Sequence, residues 1–238
     1  MYTIQGIIRK GINNAYTQWE RLGYVGNNLA NFNTNGYKSV RFEQMLGEEG
    51  YLKGAIRTDF SVGSLRQTSR PTDVAIDGQG FIPVVSPSGE VQYTRDGAFK
   101  IGKNGYLMTN DDWIVGEGIK IPTNCYKFKI KPNGDVVSYD AGNTNEKYLG
   151  NIPLVRFASP EGLKQEDMSR FSATEDSGDA YLVKNHDCIK QSFVETSNTN
   201  MHASTSEILR LNASMLASTQ MLKVVDSMYN KAINIREG

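Results

Sequence analysis

The strongest constraint on how this chain can fold is a change of period: apolar residues recur every three or four positions at both ends and every second position between them. From Ile8, the residues Ile12, Ala15, Trp19, Leu22, Gly26 and Leu29 follow at alternating steps of four and three. That rhythm is the seam of a helix packed on another helix, and it predicts one over about residues 3 to 30. Ile208, Leu211, Met215, Ser218, Leu222, Val225 and Tyr229 repeat it near the other end, with Ser204 or Ser206 as candidate N-cap and Glu207 in the first turn. A second helix over about 203 to 234 is expected. At 1.5 Å per residue the two would be roughly 42 and 48 Å long, similar enough to pair as a coiled coil. Ile8, Ile12, Trp19, Leu22, Leu29, Ile208, Leu211, Met215, Leu222 and Val225 are the residues expected to form that pair and to carry assembly.

Further apolar residues lie off the seam: Ile4, Ile7, Tyr16 and Val25 on the first helix, Met221, Val224 and Met228 on the second. A simple pair would leave them wet, so further partners are expected. Gly6, Gly11, Gly23 and Gly26 each cost the first helix about 1 kcal/mol relative to Ala. They either break it into two short helices or permit close approach of neighbours, leaving the segment disordered until those neighbours arrive; the second reading suits the excess of apolar surface better.

In the middle, Asp77-Gly78, Ser88-Gly89, Asp96-Gly97, Asn104-Gly105 and Asn133-Gly134 mark tight turns. Between and beyond them lie short β-branched or aromatic runs: Val74–Ile76, Phe81–Val85, Val91–Thr94, Trp113–Val115, Ile119–Ile121, Lys127–Ile130, Val136–Tyr139 and Ile152–Phe157. A compact antiparallel β domain follows. The expected class is therefore α+β: helix and helix stop over 1–37, an extended excursion over 38–70, the β domain over 71–190, and the C-terminal segment with its helix over 191–238.

Composition narrows the function. The charges balance, 26 Lys and Arg against 26 Asp and Glu, so neither nucleic acid nor an anionic membrane surface is an expected partner, while association between copies is favoured. Two cysteines, Cys125 and Cys188, are too few for a disulfide scaffold, and their spacing leaves open whether they pair. No apolar run approaches the roughly 18 residues of a membrane span. Arg9 and Lys10 interrupt the start of the chain where a cleaved secretory signal needs an apolar core.

Catalytic groups are sparse. His186-Asp187-Cys188 is a local cluster, but neighbouring side chains on a strand point to opposite faces. His202 has no companion ligand one helical turn away, so no metal is expected. In Gly78-Gln79-Gly80 a Pro at 83 replaces the third glycine of a dinucleotide fingerprint. Asp111-Asp112 lacks the other ligands of a calcium loop, and Tyr93, Phe99, Tyr106 and Trp113 fall where strands need core residues. No catalytic, cofactor or metal site is expected, and the chain does not read as an enzyme. The alternative is a cell-wall glycan-binding module or hydrolase using the β domain, which would need paired carboxylates, with Asp73, Asp77 and Asp96 as candidates.

The most informative motif runs from Asn27 to Lys38, NNLANFNTNGYK. Asn and Gly tolerate left-handed backbone and satisfy carbonyls freed at a helix end, so the run is a helix stop in which Asn31, Thr34, Gly36 and Tyr37 set the exit. It resembles the signature that ends the first helix of the flagellar rod and hook proteins. Three further stretches resemble the same family in the same order: Thr72–Phe81 (TDVAIDGQGF), Tyr93–Phe99 (YTRDGAF) and Gln191–Asn200 (QSFVETSNTN). Asp226 and Met228 match a later element of the family. Ser192 stands where the family usually has Gly, and Asn212-Ala213 replaces a common Gln-Arg pair.

The resemblance implies a non-enzymatic structural subunit whose terminal helices form the inner wall of a hollow helical tube, with the β domain outside. It implies export through the flagellum's own apparatus without a cleaved signal, a periplasmic place in the basal body, and no membrane insertion. The expected partners are copies of the chain, other rod and hook subunits, and the export apparatus. The absence of a large insertion favours a rod subunit, proximal or distal, over the longer hook protein.

Overall fold

A computed structural model describes residues 4–122, 125, 127–139, 146–167, 169–184 and 186–237. The class is α+β, with one helix near each end and antiparallel strands between them. The chain divides into two compact units, the first made of Met1–Ala30, Val40–Thr58 and Asn200–Gly238, the second of Asn31–Ser39 and Asp59–Thr199.

In the first unit, helix α1 runs unbroken over Ile4–Ala30 and α2 over Met201–Glu237. The four glycines therefore do not split α1. Gly11 has a packing role: a Cβ there would stand 2.7 Å from Cδ2 of Leu222, whereas Gly23 and Gly26 face open space. Arg21 forms an ion pair with Glu207 at 2.5 Å. As α1 advances from Gly11 to Arg21, its partners on α2 step back from Leu222 to Glu207, so the helices run antiparallel. With 37 residues against 27, α2 is the longer by roughly 15 Å.

The cap of α2 differs from the sequence expectation. The helix begins before Ser204 and Ser206, and Asn200 does the capping: its Oδ1 accepts the Ala203 N–H at 3.0 Å and its carbonyl accepts the Ser204 N–H at 2.9 Å. An asparagine side chain satisfies a free N–H of the first turn as well as a serine does, and the apolar seam alone does not mark where that turn starts.

The expected excursion contains a hairpin. Strands β1, Val40–Leu46, and β2, Leu52–Thr58, pair in register from Val40 opposite Thr58 to Leu46 opposite Leu52. Two asparagines of α1 hold it by imitating a strand. The Asn28 side chain donates to the Val40 carbonyl at 2.7 Å and accepts the Val40 N–H at 2.9 Å. Asn13 does the same with Leu52, at 3.1 and 2.7 Å. Between these staples Tyr24 stacks on Phe42 with ring centroids 5.5 Å apart. Met45, Leu46 and Ile56 remain exposed, which explains why no clean alternation marks the hairpin.

The second unit holds a seven-stranded antiparallel sheet in the order Lys164–Gln165, Arg170–Ser172, Val91–Thr94, Ile82–Val85, Ile114–Val115, Leu107–Met108, Lys100–Ile101. A three-stranded sheet, Lys127–Ile130, Asp135–Tyr139 and Lys147–Asn151, adds a further layer of strands. Val74, Ile82, Val84, Phe99, Leu107, Val136, Ile152 and Leu154 belong to one buried core. A second, aromatic core joins Phe81, Phe157 and Phe171, with Phe60 and Tyr93 packed edge-on against it. Ile119–Ile121, expected as a strand, is not one; Lys120 makes an isolated bridge to Tyr106 while Ile119 and Ile121 drop into the first core.

Two short strands, β3 (Leu65–Gln67) and β4 (Val74–Ile76), pair with Phe193–Glu195 and Ile189–Gln191 respectively. Ser192 sits where the chain changes partner, with φ of +61°. Its N–H donates to the Asp73 carbonyl at 2.8 Å and its carbonyl accepts the Thr68 N–H at 2.7 Å. A left-handed backbone here is strained for any residue with a Cβ, which gives the expected glycine of this position a physical reason.

Among the described residues, no helix is long and apolar enough to cross a membrane.

Candidate functional site

The four sequence motifs meet in the second unit at one carboxylate, Glu195. Its Oε1 accepts Lys38 Nζ at 2.7 Å and the Gly63 N–H at 2.8 Å. Its Oε2 accepts Arg95 Nε at 2.8 Å, with Arg95 Nη2 at the same distance. Its backbone carbonyl accepts the Gly36 N–H at 2.8 Å. Arg95 Nη1 also donates to the carbonyls of Gly78 and Gly80, at 2.9 and 2.6 Å, and Lys38 Nζ donates to the Ser61 carbonyl at 2.6 Å. Lys38 thus comes from the helix-stop motif, Gly78 and Gly80 from the second motif, Arg95 from the third and Glu195 from the fourth.

Lys38, Arg95 and Glu195 are all buried. Burial, and after it the charge of Arg95, pushes the Lys38 ammonium below its ordinary pKa, against the opposing pull of Glu195. Two cations around one buried carboxylate cost desolvation energy, so this cluster acts as a specifier of geometry: every polar arm must be placed before the others are satisfied. Asn198 extends it. Its Oδ1 accepts the Ser39 N–H at 2.8 Å and its Nδ2 donates to the Asp59 carbonyl at 2.7 Å.

The predicted stop residues lie on this junction. Asn31 accepts from Thr34 twice, by its carbonyl and by its Oδ1, each at 3.1 Å. Gly36 has φ of +67°, and a Cβ there would stand 2.4 Å from the Asp96 nitrogen, so glycine is required both by conformation and by space. Tyr37 is buried, its backbone carbonyl accepts the Asn198 N–H at 3.4 Å, and burial pushes its phenol up. Lys38, Arg95, Glu195 and Asn198 lie inside the sequence motifs without standing out from them as site residues. The available signal is that Lys38, Arg95 and Glu195 each lie inside one of three separate motifs, with Asn198 in the same motif as Glu195.

The helix residues distribute unevenly. On α2, Leu211 is buried and Ile208, Met215, Leu222 and Val225 are partly covered; on α1, Ile8, Leu22 and Leu29 are partly covered. Ile12 and Trp19, also predicted for the pair, stand 57 % and 64 % exposed on α1's outer side. The covered side is taken by the buried Thr17 and Gln18 beside the asparagine staples, a polar face that an apolar seam does not reveal. A groove of about 470 Å³ runs along the outer side, lined by Tyr16, Trp19, Glu20, Gly23, Tyr24 and Asn27.

The carboxylates proposed for glycan chemistry are tied up separately. Asp77 pairs with Lys190 at 2.6 Å, Asp73 lies 3.5 Å from Arg70, and Asp96 accepts the Ala98 N–H at 2.9 Å. Cys125 and Cys188 are both free thiols, and burial pushes the Cys188 thiol up, away from a nucleophilic state.

Residues 75–138 match the family model described as the flagellar hook protein FlgE/F/G D1 domain. The flagellar basal-body rod protein FlgG of Buchnera aphidicola subsp. Baizongia pistaciae (strain Bp) is 28% identical over 238 residues, covering 88% of this chain and 92% of that protein. FlgG of Bacillus subtilis (strain 168) is 28% identical over 249 residues, covering 91% and 93%. The flagellar hook protein FlgE of Brucella abortus biovar 1 (strain 9-941) is 34% identical over 129 residues, covering 49% of this chain and 32% of that protein. With four motifs meeting at Glu195 and relatives aligned along most of its length, the chain is similar to the flagellar rod and hook proteins.

Proposed function

We propose that the chain is a structural subunit of the bacterial flagellar basal-body rod, self-assembling through its terminal helices into a hollow tube that transmits torque and passes exported subunits. The observation that carries the reading is the end-to-end similarity to proteins named as basal-body rod proteins, at 92% of their length. The first unit supports it physically, because its helices expose apolar residues that a monomer gains nothing by keeping in water. In this reading α1 and α2 pair as a coiled coil, for which the Gly11–Leu222 approach and the Arg21–Glu207 ion pair speak, and Asn31, Thr34, Gly36 and Tyr37 set the exit from it.

Its partners are copies of itself, other rod and hook subunits and the flagellar export apparatus. Its place is the periplasmic part of the basal body, reached without a cleaved signal and without membrane insertion. Its role is non-enzymatic: the names of the relatives are structural, and Asp73, Asp77 and Asp96 are each engaged with a different partner. Torque passes by packing, at about 25 cal/mol for each Å² of apolar surface buried between subunits.

Cryo-electron microscopy of basal bodies isolated from the native host tests this directly. Density for the chain along the rod is the expected result; a complete rod lacking it overturns the reading.

A further inference from the structure

We propose that the outer groove of α1 receives the outer face of α2 from a second copy, in antiparallel register, so that copies add side by side with one polarity; this rests on the rod-subunit reading and specifies its contact. The two faces carry the same spacing. On α1, Ile12, Tyr16, Trp19 and Gly23 follow at steps of four, three and four; on α2, Leu209, Ala213, Leu216 and Gln220 do the same. Both are exposed, Tyr16 by 64% and Trp19 by 64%, Leu209 by 66% and Leu216 by 67%. The α2 stripe lies on the side of its helix opposite Leu211, Leu222 and Val225, so it is not spent within the chain.

Size and charge select the antiparallel register. It sets Leu209 against Gly23, where a Cβ would meet nothing within 4 Å, and small Ala213 against large Trp19, with Leu216 against Tyr16. It also brings Arg210, flanking the α2 stripe, beside Glu20, which lines the groove. The parallel register sets Trp19 against Leu216 and leaves Glu20 without that cation. Antiparallel docking has a second consequence. Because α1 and α2 already run antiparallel within one chain, every copy then points the same way, giving a heterologous contact that adds copies with a single polarity.

Disulfide trapping between two separately purified full-length chains tests this. With Cys125 and Cys188 replaced by Ser, one chain carries Gly23→Cys and the other Leu209→Cys. A control partner carries Met221→Cys, 70% exposed but about 120° around α2. Under mild oxidation the Gly23→Cys and Leu209→Cys chains should form a covalent heterodimer, and the control mixture should not. Glu20→Arg should abolish the product, and Arg210→Glu in the partner should restore it. Equal trapping with Met221→Cys, or no trapping while sedimentation shows assembled chains, overturns this register and leaves the rod reading standing. Chains that remain monomeric at every concentration overturn both.

Discussion

The second unit encloses its apolar residues in two cores and locks them around Glu195, whereas the first leaves Ile12, Trp19, Leu209 and Leu216 in water. A curled sheet of many short strands has enough interior to satisfy buried charge; two helices and a hairpin have almost none. The difference teaches where stability resides. The second unit is specified by its own contacts, whereas in the proposed assembly the first would gain stability from copies that bind it and would become more stable with concentration.

The two tryptophans fall one in each unit, Trp19 in the first and Trp113 in the second, so fluorescence of single-tryptophan variants reads the units apart. Leu222→Asp should break the contrast most severely. The aspartate faces the Gly11 side of α1, so assembly should be lost altogether, seen as the absence of sedimenting polymer, while the urea midpoint read by Trp113 stays unchanged. A rod of normal length in cells carrying this variant would contradict it. Glu195→Ala should do the reverse, lowering the stability read by Trp113 by about 3–5 kcal/mol because two buried cations lose their counter-ion. An unchanged midpoint would mean the junction adds nothing.

Ser192→Gly should sharpen the comparison in the opposite direction, stabilising the second unit by about 1 kcal/mol through relief of the left-handed serine. Thermal unfolding followed at Trp113 measures it. The smallest effect belongs to Asp96, whose carboxyl is pushed above its ordinary value chiefly by burial. Its folded state holds the proton more tightly than the unfolded chain does. Its contribution to stability is therefore full below the ordinary aspartate value and fades as pH rises through the raised one. Asp96→Asn, which keeps an acceptor for the Ala98 N–H, should flatten the fall in unfolding midpoint between acid and neutral pH.

The α+β class is legible in the sequence because period and turn dipeptides are local signals: Ile208 to Val225 already spell a helix, and Asp96-Gly97 or Asn133-Gly134 already spell turns. The junction is not legible in that way. Lys38 and Glu195 are separated by 157 positions and Arg95 and Glu195 by 100, and a lone charge inside a motif reads as solvated until its partner is in view. The hairpin escapes notice for a related reason. Its hold on α1 comes from Asn13 and Asn28, residues that ordinarily signal the end of a helix, not a face of one.

Those two asparagines set a narrow tolerance. Each amide serves a backbone N–H and a backbone C=O at once, as another strand would. Aspartate has the oxygen but no hydrogen to give, glutamine places both one methylene too far out, and alanine offers neither. In a library sampling every amino acid at each position, 13 and 28 should emerge as sites where variety collapses to a single letter, although neither is apolar.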